Sequence, residues 1–266
     1  MKKYLDILYK QINNEDLYLD LYLPDAENPP LILCIHGGGW IFGDRKTPIM
    51  LWQVDRGYAL ASIEYRLADE KVKDKGIFPD NIIDCKDALI YLRQNAAKYG
   101  YDPTRVIVGG DSAGGHLAAL MGTSAGQTDW EPEGADCSVQ AVVDYYGAVS
   151  VAEGEGWLPE LAEDGGALSL LLGTMAQTAK GKARAAVANP ITYINGNEPP
   201  FLILHGDSDQ VVPYTQSVCL RDALEKAGGS VGLHRVFGGD HCFESASANL
   251  VVDEFLDYYF KMGASK

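Results

Sequence analysis

Val106-Ile107-Val108-Gly109-Gly110-Asp111-Ser112-Ala113-Gly114-Gly115-His116-Leu117-Ala118-Ala119-Leu120-Met121 is the stretch whose reading decides the fold. Val106 to Val108 is a short, continuous apolar run, as in a strand buried on both faces. A helix follows over Gly114 to Met121, and between them Gly110-Asp111-Ser112-Ala113-Gly114 fits the pattern G-x-S-x-G. That pattern places a serine on a sharp strand-to-helix turn, where flanking glycines allow tight packing and the hydroxyl is exposed. The Ala113 amide and the helix N-terminus then face any oxyanion that develops nearby.

The same alternation continues in both directions. Leu31 to Ile35 is a buried strand, and Tyr58 to Tyr65 is another. Residues 81–99 show a helical apolar period at Ile82, Ile83, Ala88, Leu89 and Leu92, and Asp102-Pro103 reads as a break before Val106. Val139 to Tyr145, Phe201 to Leu204 and Gly232 to Phe237 read as further strands. Ser217 to Lys226 reads as a helix ended by Gly228-Gly229, and Leu250 to Phe260 as a closing amphipathic helix. Leu17 to Leu23 alternates polar and apolar residues and reads as an antiparallel edge strand. The expected class is α/β, with a mostly parallel sheet and helices on both faces, in one domain over residues 1–266. One segment breaks the rhythm. Residues 147–189 are rich in Gly, Ala and acidic side chains, with Trp157 and an apolar patch at Leu168 to Leu172. It reads as a lid-like insertion, with a plain surface excursion of nearly equal standing.

Charge and cysteines exclude several classes. A formal net charge of −15 should repel nucleic acid and anionic membranes. No run approaches the roughly 18 apolar residues of a membrane span, and Asp6 interrupts any leader-like start. The five cysteines are scattered without metal-ligand spacing, so no metal is expected, and Cys34 within an apolar run reads as a reduced, buried thiol. A cytoplasmic location is expected, although earlier removal of a signal peptide fits the sequence as well. The oligomeric state is left open, a dimer included.

Two further motifs bear on chemistry. His36-Gly37-Gly38-Gly39-Trp40 follows the first buried strand, and its glycines let successive N–H groups converge on one point. A phosphate loop is the competing reading, but the lysine and hydroxyl pair it needs is missing. His205-Gly206-Asp207-Ser208-Asp209-Gln210-Val211-Val212-Pro213 supplies a carboxylate beyond a strand end, and Asp207 and Asp209 compete for that role. Of the five histidines, His36 and His205 precede turn glycines, His116 lies in the helix after Ser112, and His234 lies within a strand. His241 follows Gly238-Gly239-Asp240 in a loop after the last strand and is the candidate base.

Taken with EYRL (64–67), FPDNIIDCKDAL (78–89), NPITYI (189–194) and GGDH (238–241), these motifs resemble the hormone-sensitive-lipase-like esterases. The resemblance is strongest to the bacterial feruloyl-esterase-like and acetyl-esterase-like branch, and it runs in order over nearly the whole chain. It implies an α/β-hydrolase fold with Ser112 as nucleophile, His241 as base and Asp209 as orienting acid. It also implies oxyanion donors at Gly38, Gly39 and Ala113, a substrate-bordering Trp40, and structural roles for Arg66 and Asp84. Only 35 residues precede His36, so the helical cap of the lipase-like members is reduced. The implied substrate is a small ester with a short acyl or hydroxycinnamoyl group, including esters linked to plant carbohydrate, cleaved without a cofactor. An amidase, arylformamidase or small-peptide hydrolase is the nearest rival, and a non-catalytic ligand-binding relative is a more distant one.

Overall fold

The computed structural model describes residues 1–72, 74–151 and 159–261. In chain order the elements are β1 (Lys2–Ile12), β2 (Glu15–Leu23), β3 (Pro30–Ile35), β4 (Ala59–Ile63), α1 (Asp80–Tyr99), β5 (Asp102–Asp111), α2 (Ala113–Thr123) and β6 (Ala141–Tyr145). Then follow α3 (Pro159–Ala162), α4 (Ala167–Leu172), α5 (Ala179–Ala188), β7 (Phe201–Gly206), α6 (Tyr214–Lys226), β8 (Val231–Val236) and α7 (Ala246–Leu256). The strands form one sheet in the order β1-β2-β4-β3-β5-β6-β7-β8. From β4 onward every neighbour is parallel, while β1 and β2 run antiparallel.

Side-chain alternation divides the core into two layers, because successive residues of a strand face opposite sides. Leu31, Leu33 and Ile35 of β3 pack with Ile82, Leu89 and Leu92 of α1 and Leu117 of α2. Ile32 and Cys34 point the other way, onto Val252 and Leu256 of α7 and the Met50–Tyr58 segment. These central strands read as unbroken apolar runs because both faces are covered. Leu89 and Leu92 are fully buried, each stabilising the fold by about 1.5–3 kcal/mol. Gly100 ends α1 in the left-handed conformation (φ 88°), returning its N–H to Ala96 O.

Three expectations need correction. The 17–23 strand is second in the sheet, because β1 pairs outside it. Asp102-Pro103 opens β5 instead of interrupting the chain; the missing proline N–H is tolerated at a strand's start, and the register shifts there. The last helix is regular only to Leu256 and continues to Lys261 as a wider π turn. The 147–189 segment contributes α3, α4 and α5, while Trp157 lies outside the described residues. Ion pairs centred on the buried Arg66 and Arg45 brace the sheet's antiparallel side. Arg66 Nε lies 2.7 Å from Asp84 Oδ2. Arg45, just beyond the glycine loop, is held by Asp6 of β1, Asp20 of β2 and Glu64. Among the described residues no helix is long and apolar enough to cross a membrane.

Candidate active site

The parallel strands β3, β5, β6, β7 and β8 all end at one rim of the sheet, where an open α/β sheet presents its ligand crevice. At the end of β5, Ser112 adopts φ 53° and ψ −115°, a conformation that costs a non-glycine residue about 1–3 kcal/mol. Its neighbours enforce the turn. A Cβ at Gly114 would stand 2.1 Å from Ile35 O, and one at Gly110 would stand 2.2 Å from Gly114 O. The Ser112 N–H donates to Tyr145 O at the end of β6 (2.8 Å), which fixes the turn against the next strand.

His241, in the loop after β8, presents Nε2 to Ser112 Oγ at 3.1 Å. Its Nδ1 lies 2.7 Å from Asp209 Oδ2. A carboxylate only accepts, so the imidazole proton sits on Nδ1 and Nε2 offers its lone pair to the serine hydroxyl. Asp209 is almost fully buried, and its Oδ1 accepts the Val211 and Val212 N–H groups (2.8 and 2.9 Å). Burial opposes ionisation of Asp209, but the hydrogen bonds from His205 and His241 outweigh it and hold the carboxyl well below the usual range. Asp207, the rival carboxylate, is engaged instead by Arg235 Nε (2.8 Å) and Gly238 N (2.7 Å).

Sequence reasoning missed a second imidazole at this carboxylate. His205 Nε2 lies 3.2 Å from Asp209 Oδ2 and 2.9 Å from Val212 O, so Nε2 carries the proton, and Nδ1 accepts from Ser217 Oγ (2.6 Å). The spacing of His205 and Asp209 across one turn was the available signal, but only the strand end shows that the ring turns inward. Asp144 of β6 was also missed. It is fully buried, with Oδ1 accepting Gly147 N at 2.8 Å and Oδ2 lacking a partner among the described residues. Burial pushes this carboxyl up to about 6, against the pull of the Gly147 N–H and His205.

The glycine loop folds back on itself. Gly38 O accepts the N–H groups of Ile41 and Phe42 (both 3.1 Å), and Gly38 has φ 113° with no room for a Cβ, which would meet Phe42 O at 2.1 Å. The loop is also held from outside: Tyr65 donates to His36 O at 3.0 Å, and its ring stacks on His36. Among the described residues the N–H groups of Gly38, Gly39 and Ala113 have no hydrogen-bond partner, which leaves them available to an incoming oxygen. Trp40 is 3% exposed and donates its indole N–H to His116 Nδ1 (3.2 Å), so it forms a fixed wall of the cleft. His116 in turn bonds Ala188 O at 2.7 Å, and burial lowers its pKa to about 4.

The cleft above Ser112 holds about 690 Å³. Trp40, Val211 and Val212 line it, together with Ala148, Leu161, Ala167 and Leu168 from the 147–189 segment. Asp44, Thr47 and Asp111 are among its polar lining residues. Asp111 accepts Gly37 N–H at 3.0 Å, and burial raises its pKa. No group of three or more His, Cys, Asp or Glu side chains among the described residues is arranged to hold a metal. A serine hydroxyl within hydrogen-bond reach of an imidazole, a buried carboxylate behind that ring and unpaired backbone amides nearby are the kinds of group that acyl transfer uses.

The family model described as BD-FAE matches residues 19–224. Esterase LipQ of Mycobacterium tuberculosis is 31% identical over 98% of this chain and 64% of its own length. Esterase LipC of the same organism is 32% identical over 81% of this chain and 53% of its own. The chain thus spans between about half and two-thirds of these curated relatives. Among solved structures, a truncated carbohydrate esterase from gut microbiota superposes with TM-score 0.82 at 28% identity, covering 97% of this chain and 96% of that one. A thermophilic esterase from Thermogutta terrifontis gives TM-score 0.74 at 27% identity, over 94% and 90% of the two chains.

Proposed function

The chain belongs to the BD-FAE family and has the α/β-hydrolase fold, and from this we propose that it is a serine carboxylesterase for small esters. Ser112 Oγ attacks the ester carbonyl carbon while His241 Nε2 takes its proton. The carbonyl oxygen becomes an oxyanion facing the N–H groups of Gly38, Gly39 and Ala113. Collapse of that tetrahedral species breaks the bond to the alcohol oxygen, which receives the proton from His241 and leaves. Water then gives its proton to His241 and attacks the acyl-Ser112 ester; the acid departs and Ser112 regains its proton. Asp209 keeps the imidazole in its productive tautomer and stabilises the imidazolium. The observation that supports this reading best is the run from Ser112 Oγ through His241 to Asp209, at 3.1 and 2.7 Å.

The acyl group proposed is short or hydroxycinnamoyl. Trp40, Leu161 and Leu168 line the apolar part of the cleft, and the described part of the 147–189 segment is its partial cover within a single domain. Carbohydrate-linked esters are the proposed natural class, supported by likeness to the gut carbohydrate esterase. A cytoplasmic location is part of the proposal, supported by free, buried thiols at Cys34, Cys85 and Cys137.

The test is hydrolysis of p-nitrophenyl esters from acetyl to dodecanoyl, with methyl ferulate and a matched anilide, beside Ser112→Ala. Turnover of short esters, lost by about 10³-fold or more in the folded variant, is the expected result. Cleavage of the anilide alone would replace the esterase reading with an amidase, and an undiminished Ser112→Ala would remove the mechanism.

A further inference from the structure

Ser112, Asp209 and His241 stand on the turns after β5, β7 and β8, while β6, which lies between β5 and β7, supplies none of them. The end of β6 nevertheless reaches toward all three. Tyr145 O accepts the Ser112 N–H at 2.8 Å. The next residue, Tyr146, donates its N–H to Leu204 O of β7 at 2.8 Å, one residue before His205. Its ring packs on His241 with centroids 4.7 Å apart and planes at 62°, and it stands 6.4 Å from the His205 ring. Among the described residues no other aromatic ring packs on His241.

Tyr146 is held in a conformation that tyrosine avoids. Its φ of 43° lies in the left-handed region, where a bulky side chain persists only if its surroundings enforce it. A short turn does so here. Asp144 Oδ1 accepts the Gly147 N–H at 2.8 Å across Tyr145 and Tyr146, and a Cβ at Gly147 would stand 2.4 Å from that oxygen. Tyr146 is buried, and the Phe243 ring packs on it at 5.3 Å. A glycine or asparagine would take this φ at lower cost, but would put no ring against His241.

We propose that Tyr146 is a positioning residue for the reaction: its ring fixes the plane of the His241 imidazole, so that Nε2 and Nδ1 stay aligned on Ser112 and Asp209 together. The inference rests on the serine-esterase reading and adds to it a residue that the reading does not contain. The loop carrying His241 is tied down through its backbone. Gly239 N–H donates to Val236 O (3.1 Å), Gly239 O accepts Ser208 N–H (2.9 Å), and His241 N–H donates to Asp240 Oδ1 (2.8 Å). These bonds locate the main chain but do not set the side-chain torsions. The imidazole is held by its bonds to Ser112 and Asp209 and by the packed Tyr146 ring. The bond to Ser112 is given up at each proton transfer, and the ring contact keeps the imidazole oriented through that interval. Tyr146 does not line the cleft above Ser112, so it acts through His241 and not on the substrate.

The experiment measures kcat and KM for p-nitrophenyl acetate in the full chain, Tyr146→Phe and Tyr146→Leu. Tyr146→Leu is expected to lower kcat by about tenfold or more with KM held within about twofold. Tyr146→Phe, which keeps the ring, should stay within about threefold of the parent in kcat. A phenylalanine variant as impaired as the leucine one, a leucine variant with the parental kcat, or a loss carried by KM would overturn the role. If Tyr146→Leu does not fold, Phe243→Leu removes a second ring packed on Tyr146 and so loosens it. There kcat should fall by about threefold or more at constant KM, and a parental kcat would overturn the proposal. A parent chain inactive on the ester would remove the esterase reading and the role of Tyr146 with it.

Discussion

The substitution Asp144→Asn should flatten the pH dependence of stability. The carboxyl is pushed up to about 6 by burial, against an ordinary value of 3.8. The folded chain therefore holds this proton more tightly than the unfolded one. Its stabilising contribution is complete below the unfolded value and is lost as pH rises through the folded one. Across the whole window the loss comes to about 3 kcal/mol, and roughly half of it falls between about pH 5 and pH 7.5. The amide introduced by the substitution would keep an acceptor for the Gly147 N–H and would have nothing to ionise. Its NH2 would meet the same partnerless surroundings as Oδ2, a cost that does not vary with pH. The quantity to read is therefore a double difference. Urea unfolding of parent and variant at the two pH values should show the variant gaining roughly 1–2 kcal/mol on the parent at the higher one. Parallel pH curves would refute the reasoning and mean that the carboxyl titrates at an ordinary value in the folded chain.

Two further substitutions probe the site directly. His205→Ala removes one N–H from Asp209 and leaves Ser217 without its partner; kcat on a short ester should fall by about tenfold with little change in KM, and His205→Gln, which restores an N–H, should recover part of it. A loss confined to KM would show that His205 does not act through Asp209. Gly38→Ala would place a methyl group 2.1 Å from Phe42 O at φ 113°, so the loop must rearrange and kcat should fall by about 10²-fold or more. Wild-type turnover in that variant would take the Gly38 amide out of the reaction.

Much of this was legible beforehand because the central strands are buried on both faces and so read as short apolar runs between glycine turns. Ser112 and the glycine loop could be found because tight backbone geometry requires glycine at Gly38, Gly110 and Gly114. The residues before His36 read mainly as strands, but the bounds and outer place of β1 were not legible, for the opposite reason. Only Tyr4, Ile7 and Tyr9 pack on the core, and register shifts near Asp6 and Tyr9 break the alternation that would betray a strand. Asp207 and Asp209 share one turn, and only the folded backbone directs one toward His241 and the other toward Arg235. His205 and Asp144 act through contacts between separate strands and loops, which a linear reading does not bring together.

The arginine after the glycine loop gives the sheet's far margin a stake in the cleft. Arg45 stands two residues beyond Gly43, a lining residue, yet its charge is neutralised by carboxylates from β1, β2 and the segment after β4. Strands from the margin and a segment two residues from the cleft are thus tied together through the Arg45 guanidinium. Loss of an acidic side chain at Asp6, Asp20 or Glu64 would leave the Arg45 charge less fully paired, so a change made at the far edge of the sheet is expected to be felt next to the glycine loop.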